Sequence, residues 1–498
     1  MEDSLKKRYI IKLLSSFVNG IINIVLIAIV PKALGPVSFG HFSYLQQFFS
    51  QILAFLDAGT SIAFFTKLSA NQSRKKLITF YFIFSLLLLG LLCLFVYGID
   101  TFNYVELLLP DIPQEYIFYG LWFGFFTWFT QIYIKISDAY ALTVSVELIK
   151  IVHKVLTLVL LFFIIHAFAF DLSMYFYFHY VSLLSFLLLV TFLFLKKDIF
   201  GREIINFSLP YKKLTSEFFK FSSPLFIFNV IAIIIGLFDI WLLQTMSGSV
   251  ETGFYGLAYS IAAMCFLFTG AMTPIITREF SKSYAIKDLS KIRELFKRYI
   301  PMLYSVAAYF AVFIAFESEN LIGIFADETF KDAYLVLMVI SFYPIHQTYG
   351  QLSGSLFFAM EETKVYRNIG IVSSVIGLIF SLTFIYFLEL GAVGFAWKMI
   401  LIQILSVNIQ LYFNTKSLKL NIYPFLMHQL FSVIFFVLMA YLSTQLFFVN
   451  EYGIFIFLLK GIIYTIFVLI GVITFPSIFS ISRQELLNFS KRIRYKRF

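Results

Sequence analysis

Residues 30–64 read VPKALGPVSFGHFSYLQQFFSQILAFLDAGTSIAF. Pro31, Gly35 and Pro36 predict the end of one helix and a tight turn, because proline lacks the donor that a helix interior needs. Gly40 then opens a second helix. The apolar runs on both sides of the turn are about 20 residues long, enough to cross a ~30 Å hydrocarbon core. The stretch therefore predicts a hairpin of two membrane-spanning helices.

The rest of the chain repeats that pattern. Of its 498 residues 60% are hydrophobic, 20% aromatic and only 13% charged, too little charge to cover a soluble protein of this length. Fourteen spans are expected: 9–30, 39–65, 77–98, 115–138, 144–167, 172–195, 218–245, 253–277, 299–316, 332–359, 366–388, 392–414, 422–449 and 452–476. The fold class is an all-α polytopic membrane protein. Its first apolar segment is too long for a signal peptide, so it reads as a retained helix. Cys93 and Cys265 both lie in apolar runs, which predicts neither a disulfide framework nor a metal site.

Charge tests the count. With the N-terminus cytoplasmic, the inner segments hold Lys6, Lys7, Arg8, Lys67, Arg74, Lys75, Lys76, Lys196, Lys197, Arg202, Lys212 and Lys213. They also hold seven basic residues between Arg278 and Arg298, then Lys364, Arg367, Lys416, Lys419 and the basic tail. The outer loops hold only Lys32 and Lys331 and carry 13 of the 28 acids, Asp100, Asp111, Glu317, Asp327 and Glu451 among them. A wrong span count would scramble this alternation. The formal charge of +10 reflects topology and attraction to anionic lipid, and calls for no nucleic acid.

An internal repeat is visible. VSFGHF at 37–42 aligns with VETGFY at 250–255, and at that offset Phe55 falls on Phe268 and Ala58 on Ala271. DAYALT at 138–143 and FAMEET at 358–363 share Ala139/Ala359 and Thr143/Thr363. These matches predict two pseudo-symmetric six-helix lobes, 1–195 and 218–414, joined by the basic linker 196–217. Two additional helices at 415–476 and a basic tail at 477–498 follow. Of the turn glycines, the second copy is expected to keep only Gly253.

Pro31, Leu34, Gly35, Pro36, Phe39, Gly40 and Phe42, followed by Asp57 and Gly59, form a pattern that resembles the bacterial polysaccharide flippases. These are the Wzx-type O-antigen exporters of the multidrug/oligosaccharidyl-lipid/polysaccharide exporter superfamily, whose folds include the MATE-like one. The resemblance implies a multi-pass protein of the bacterial inner membrane with both termini cytoplasmic. It implies alternating access for an undecaprenyl-pyrophosphate-linked oligosaccharide of O-antigen or capsule, driven by a proton or cation gradient. Implied partners are that lipid-linked substrate, membrane lipids and other polysaccharide-assembly proteins; no cofactor is implied.

Charges inside the spans are the candidate site. In VELIKIVHKVL (146–156), Glu147, Lys150 and Lys154 share one helix face. Lys154 falls near the bilayer midplane, where a cation facing lipid costs roughly 2.5–3.5 kcal/mol. One carboxylate cannot neutralise two lysines, so Lys154 and Lys150, with Lys398 of span twelve, are the candidate substrate-binding cations. Asp57, Asp239 and Glu147 are the candidate coupling-ion carboxylates. The competing reading places Glu147 and Lys150 snorkelling at the inner interface. Lys135 and Asp138 read as interfacial, and Lys460 has no account. His41, His166, His179 and His346 read as ordinary interior histidines, while PIHQTYGQLSG at 344–354 predicts a bend at Pro344.

Enzymatic readings lack their motifs: the chain has no Walker lysine, HExxH, CxxC or G-x-S-x-G. Glu361 and Glu362 read as solvated loop residues, and the triplets at 71–73 and 488–490 as cytoplasmic. A membrane polymerase or glycosyltransferase needs a long outer loop, which is missing. A cation-coupled multidrug exporter of the same superfamily stays open as the alternative. Reporter fusions at Lys75, Ser208 and Lys291 are expected to read as cytoplasmic and those at Pro110 and Asp327 as external. One reversed site breaks the fourteen-span topology.

Overall fold

The first turn is made by a single residue. In the computed structural model, which describes residues 5–57, 59–70, 75–201, 209–360, 362–445, 453–481 and 484, helix α1 (Leu5–Asp57) is interrupted only at Gly35, with φ 74° and ψ 167°. That angle lies in the left-handed region that favours glycine. Pro31 does not end the leading segment, as the sequence predicts, but sits inside it. Pro36 opens the following segment, where its fixed φ fits and its missing donor costs nothing. Arg74, Arg202, Glu361, Glu451, Arg483, the tail from Lys491 and the triplets at 71–73 and 488–490 lie outside the described residues, as does Ala58.

The chain forms two compact units, Met1–Gly253 and Phe254–Phe498. In the first, α1 is followed by α2 (Thr60–Ala70), α3 (Lys76–Thr101), a single turn α4 (Val105–Leu108), α5 (Gln114–Ala139), α6 (Thr143–Ala167), α7 (Leu172–Lys196) and α8 (Tyr211–Ala262). Expected span two is thus split at Gly59, φ 81°, between α1 and α2. Helix α5 is the hub, touching α1, α2, α3, α6 and α7, while α6 packs chiefly along α1. The remainder of α6 presents Val152, Val155, Leu156, Val159 and Phe163 outward, as a lipid-facing helix should.

The second unit holds α9 (Phe266–Ala285), α10 (Leu289–Phe316), α11 (Ser318–Phe325), α12 (Ala333–Ile340), α13 (Tyr343–Ala359), α14 (Thr363–Ser381), α15 (Gly391–Ser417), α16 (Tyr423–Gln445) and α17 (Ile454–Thr474). Its core gathers around α10, where Ile300, Tyr304, Ala308 and Val312 meet Ile345 and Tyr349 of α13 and Phe436 of α16. Span ten is broken between α12 and α13, and Pro344 is accommodated in the first turn of α13. Each of the fourteen expected spans falls mainly on helix in its described residues, and the described residues contain no strand. Ten helices among them are long and apolar enough to cross a membrane, two of which, Val18–Asp57 and Val230–Cys265, contain a glycine break. This is an all-α multi-pass membrane protein.

The repeat reappears as local structure. Helix α8 breaks at Gly248 with φ 78° and ψ −178°, the conformation of Gly35, and the two residues sit at the same offset as Gly40 and Gly253. The second copy therefore keeps Gly248 as well as Gly253, which corrects the sequence expectation. Likewise α5 ends at Ala139 and α13 at Ala359, while α6 begins at Thr143 and α14 at Thr363.

The two glycine turns touch reciprocally. A Cβ on Gly40 would stand 2.7 Å from the Ser249 carbonyl carbon and 3.2 Å from Gly253 N; one on Gly253 would strike the carbonyl of Pro36 and stand 3.2 Å from Gly40 N. Ser249 is the repeat equivalent of Pro36, so each turn presents its glycine to the other turn's first residue. No side chain fits there. Gly40→Ala and Gly253→Ala are each expected to destabilise by about 1–3 kcal/mol through overpacking. Gly90→Ala on α3, where a Cβ meets open space, serves as the comparison. Thermal unfolding of the purified variants checks this, and Gly40→Ala melting with Gly90→Ala refutes it.

Candidate functional site

The lysine stretch of α6 lies against a polar row on α1. Ser15, Asn19 and Asn23 recur every four residues and so share one face of that helix. Ser15 Oγ donates to Glu147 Oε2 at 2.5 Å, and Asn19 Nδ2 donates to Ser15 Oγ at 3.2 Å. Lys150 Nζ stands 3.8 Å from the same Glu147 Oε2. One turn further along, Lys154 Nζ donates to Asn23 Oδ1 at 3.1 Å. The sequence reading missed the α1 row, although its four-residue spacing in an apolar helix was the available signal.

The three α6 residues are not equivalent. Glu147 is buried and takes both the hydroxyl and the nearer ammonium, whereas Lys150 keeps about a third of its side chain exposed. Lys154 is half-buried, and its one hydrogen bond among the described residues goes to a neutral carboxamide. Among the described residues the seam thus contains one carboxylate and two ammonium groups. His153 is turned to α7 instead, pairing its Nε2 with Ser185 Oγ at 2.9 Å.

Asp57 is held at the break between α1 and α2. Thr60 Oγ1, at 2.8 Å, Ser61 N, at 3.0 Å, and Tyr81 OH, at 2.9 Å, all donate to its Oδ1; Ser61 Oγ donates to Oδ2 at 2.7 Å. The backbone bond makes Asp57 a cap for α2, whose first amides otherwise lack acceptors. Lys135 of α5, expected at the interface, instead turns inward and donates to Ser61 Oγ at 2.5 Å. The Tyr81 ring is stacked on Phe64 at 4.4 Å, which fixes where its hydroxyl points.

The other candidates lie elsewhere. Asp239 is buried on α8 in the first unit. Lys398 is buried on α15 in the second, its ammonium 5.3 Å from the Phe395 ring centre and its stem close to Gly377. Of the six candidates, the structure gathers Glu147, Lys150 and Lys154 into one seam and puts Asp57 in a separate cluster. Three of the four histidines singled out pack against aromatic rings: His41 beside Tyr116, His179 among Phe42, Phe123 and Tyr175, and His346 against Tyr304. His166 is exposed, bonded to the Phe162 carbonyl of its own helix.

Lys460 now has an account. Its ammonium lies 3.0 Å from Glu317 Oε1 and 3.2 Å from Oε2, and Asn320 Nδ2 donates to Oε2 at 3.0 Å. The Glu317 side chain is 1% exposed, so the pair fastens α17 to the end of α10 inside the protein. Lys460→Met would leave that carboxylate buried beside a single amide and is expected to cost about 3–5 kcal/mol. Adding Glu317→Gln should recover much of the loss. Chemical or thermal unfolding tests this, and a single variant as stable as the parent rejects it.

A family model described as "Polysaccharide biosynthesis protein" matches residues 5–278. No curated protein matches the chain. Among solved structures, the lipid II flippase MurJ in an inward closed conformation superposes with a TM-score of 0.69 at 17% identity, covering 93% of this chain and 98% of that one. An inward-facing multidrug resistance MATE family transporter of the MOP superfamily gives 0.63 at 17% identity, over 81% and 95%. A MOP superfamily transporter from Pyrococcus furiosus, described as having a binding pocket of reversed polarity, gives 0.58 at 16% identity, over 83% and 95%. At such identities the likeness is one of fold.

Proposed function

The chain belongs to the polysaccharide biosynthesis protein family, and from that premise we propose that it is a flippase for undecaprenyl-pyrophosphate-linked oligosaccharide, the repeat unit of an O-antigen or capsule. It acts in the bacterial inner membrane with both termini cytoplasmic. The observation that carries this reading is the surplus cation of the α6 seam: among the described residues it has two ammonium groups and one carboxylate, and the hydrogen bond of Lys154 goes to a carboxamide. A carboxamide holds a lysine in place without neutralising it, which leaves its charge available to an anion.

Pyrophosphate suits that charge. Lysine presents a compact ammonium to phosphate as a point charge, and two of them can serve one diffuse anion. The attraction must stay modest, because a substrate held tightly is not released. A half-exposed seam of intermediate dielectric meets that need better than water or lipid. The sugar and pyrophosphate cross by alternating access along a wet path while the polyprenyl chain remains in lipid. The six-helix repeats 1–195 and 218–414 supply the two lobes such a cycle requires, and Lys398 adds a further cation on the second. Asp239 and Glu147 are the carboxylates at which a proton or cation gradient would act, and Asp57 one at which a proton would. A cation-coupled drug exporter has no comparable use for surplus lysine.

Lys154→Ala is expected to lower flipping of a lipid-linked repeat unit in proteoliposomes about tenfold or more, equivalent to ~1.4 kcal/mol of lost interaction. Lys154→Arg should retain part of the activity and Lys154→Glu the least. Protein abundance is measured alongside. Normal flipping by Lys154→Ala, or a loss that follows abundance, makes the lysine structural and removes the main support for this function.

A further inference from the structure

The Asp57 cluster contains its own cation. Asp57 is 8% exposed and its two oxygens receive four donors, all from α2 and α3. Ser61 Oγ is the pivot: it donates to Asp57 Oδ2 at 2.7 Å and accepts from Lys135 Nζ at 2.5 Å. The ammonium is therefore one hydroxyl away from the carboxylate, close enough for direct charge attraction. The groups around it are hard oxygens, namely the Asp57 carboxylate and the hydroxyls of Thr60, Ser61 and Tyr81, with Thr60 Oγ1 and Tyr81 OH 3.1 Å apart. Such a set suits a small cation that prefers oxygen ligands. Phe64, Phe84, Trp128 and Phe218 pack around the Tyr81 ring, so the cluster is walled by aromatic side chains.

We propose that Lys135 is a tethered cation that fills, at Asp57, a site a free monovalent cation would otherwise occupy. Charge neutrality inside the membrane requires a positive partner for this carboxylate. Lys135 supplies it from the neighbouring helix at a concentration no dissolved ion can match, because it is covalently attached. Asp57 is consequently indifferent to sodium and potassium, and removing the lysine creates a cation site. This deepens the flippase reading by withdrawing Asp57 from any sodium-coupled step. It rests on that reading only for its transport consequence.

The test uses no lipid-linked sugar, so its failure leaves the flippase reading untouched. The full-length protein is purified in detergent, and thermal unfolding is followed in sodium, potassium or choline chloride at equal ionic strength. The parent should melt at the same temperature in all three. Lys135→Met should gain a saturable rise of a few degrees in sodium or potassium over choline, which Lys135→Met/Asp57→Asn should lose. Lys135→Gln is the second neutral variant, and Lys135→Arg, which keeps the charge, should stay indifferent. A neutral variant that folds only in the presence of a metal cation supports the proposal. An Asp57-dependent sodium response in the parent or in Lys135→Arg overturns it. So does a neutral variant that melts alike in all three salts or fails to fold in any of them.

Discussion

A charge inside a bilayer must find its partner within the chain or keep access to water, because lipid supplies none. That requirement decides which helices of this protein lie side by side. Asp57 needs a cation, and Lys135 reaches it through Ser61, bringing α5 against the α1–α2 break. Glu317 needs one, and Lys460 ties α17 to the end of α10. Glu147 takes Lys150 from its own helix and a hydroxyl from α1. In each case the polar contact fixes a helix rotation that apolar packing alone leaves loose, since lipid tails are as apolar as leucine. Apolar packing then fills the remainder, as around α10.

The glycine turns obey a complementary constraint, that of backbone approach. Gly35 and Gly248 reverse the chain with the same positive φ, and Gly40 and Gly253 admit the opposite turn's carbonyl where any Cβ would collide. The reciprocity of the contact follows from the repeat. Two copies of one turn can meet face to face only if each offers the other the same pair of residues, a glycine and a carbonyl four positions before it. That is why Gly40 and Gly253 match even though their neighbours, His41 and Phe254, do not.

The spans were legible because hydropathy and charge alternation are one-dimensional signals. All fourteen fell on helices, and the shared Ala139/Ala359 and Thr143/Thr363 marked the helix ends. Three features were not legible. Pro31 looked like a stop but was tolerated near a helix end, and Gly248 went unnoticed because Ser249 replaces the proline that flagged Gly35. The partners of Lys135 and Lys460 lie 74 and 143 positions away, and no local pattern encodes which helix faces which. The α1 row of Ser15, Asn19 and Asn23 was readable by spacing, yet its meaning came only from the lysines opposite.

These contacts separate two uses of intramembrane charge. A lysine matched to a carboxylate, as Lys460 is to Glu317, is electrically silent beyond a few ångströms and serves as a fastener. A lysine held by a carboxamide keeps its field, and the protein must hold that charge on a surface with some access to water. Lys154 meets both conditions: it is half-buried, and Asn23 fixes it without cancelling it. Asparagine is the residue that allows this, because an aspartate at position 23 would convert the seam into another neutral fastener. The placement of neutral and ionised acceptors around the lysines, more than their number, therefore determines which of them can act on an anion from outside the chain.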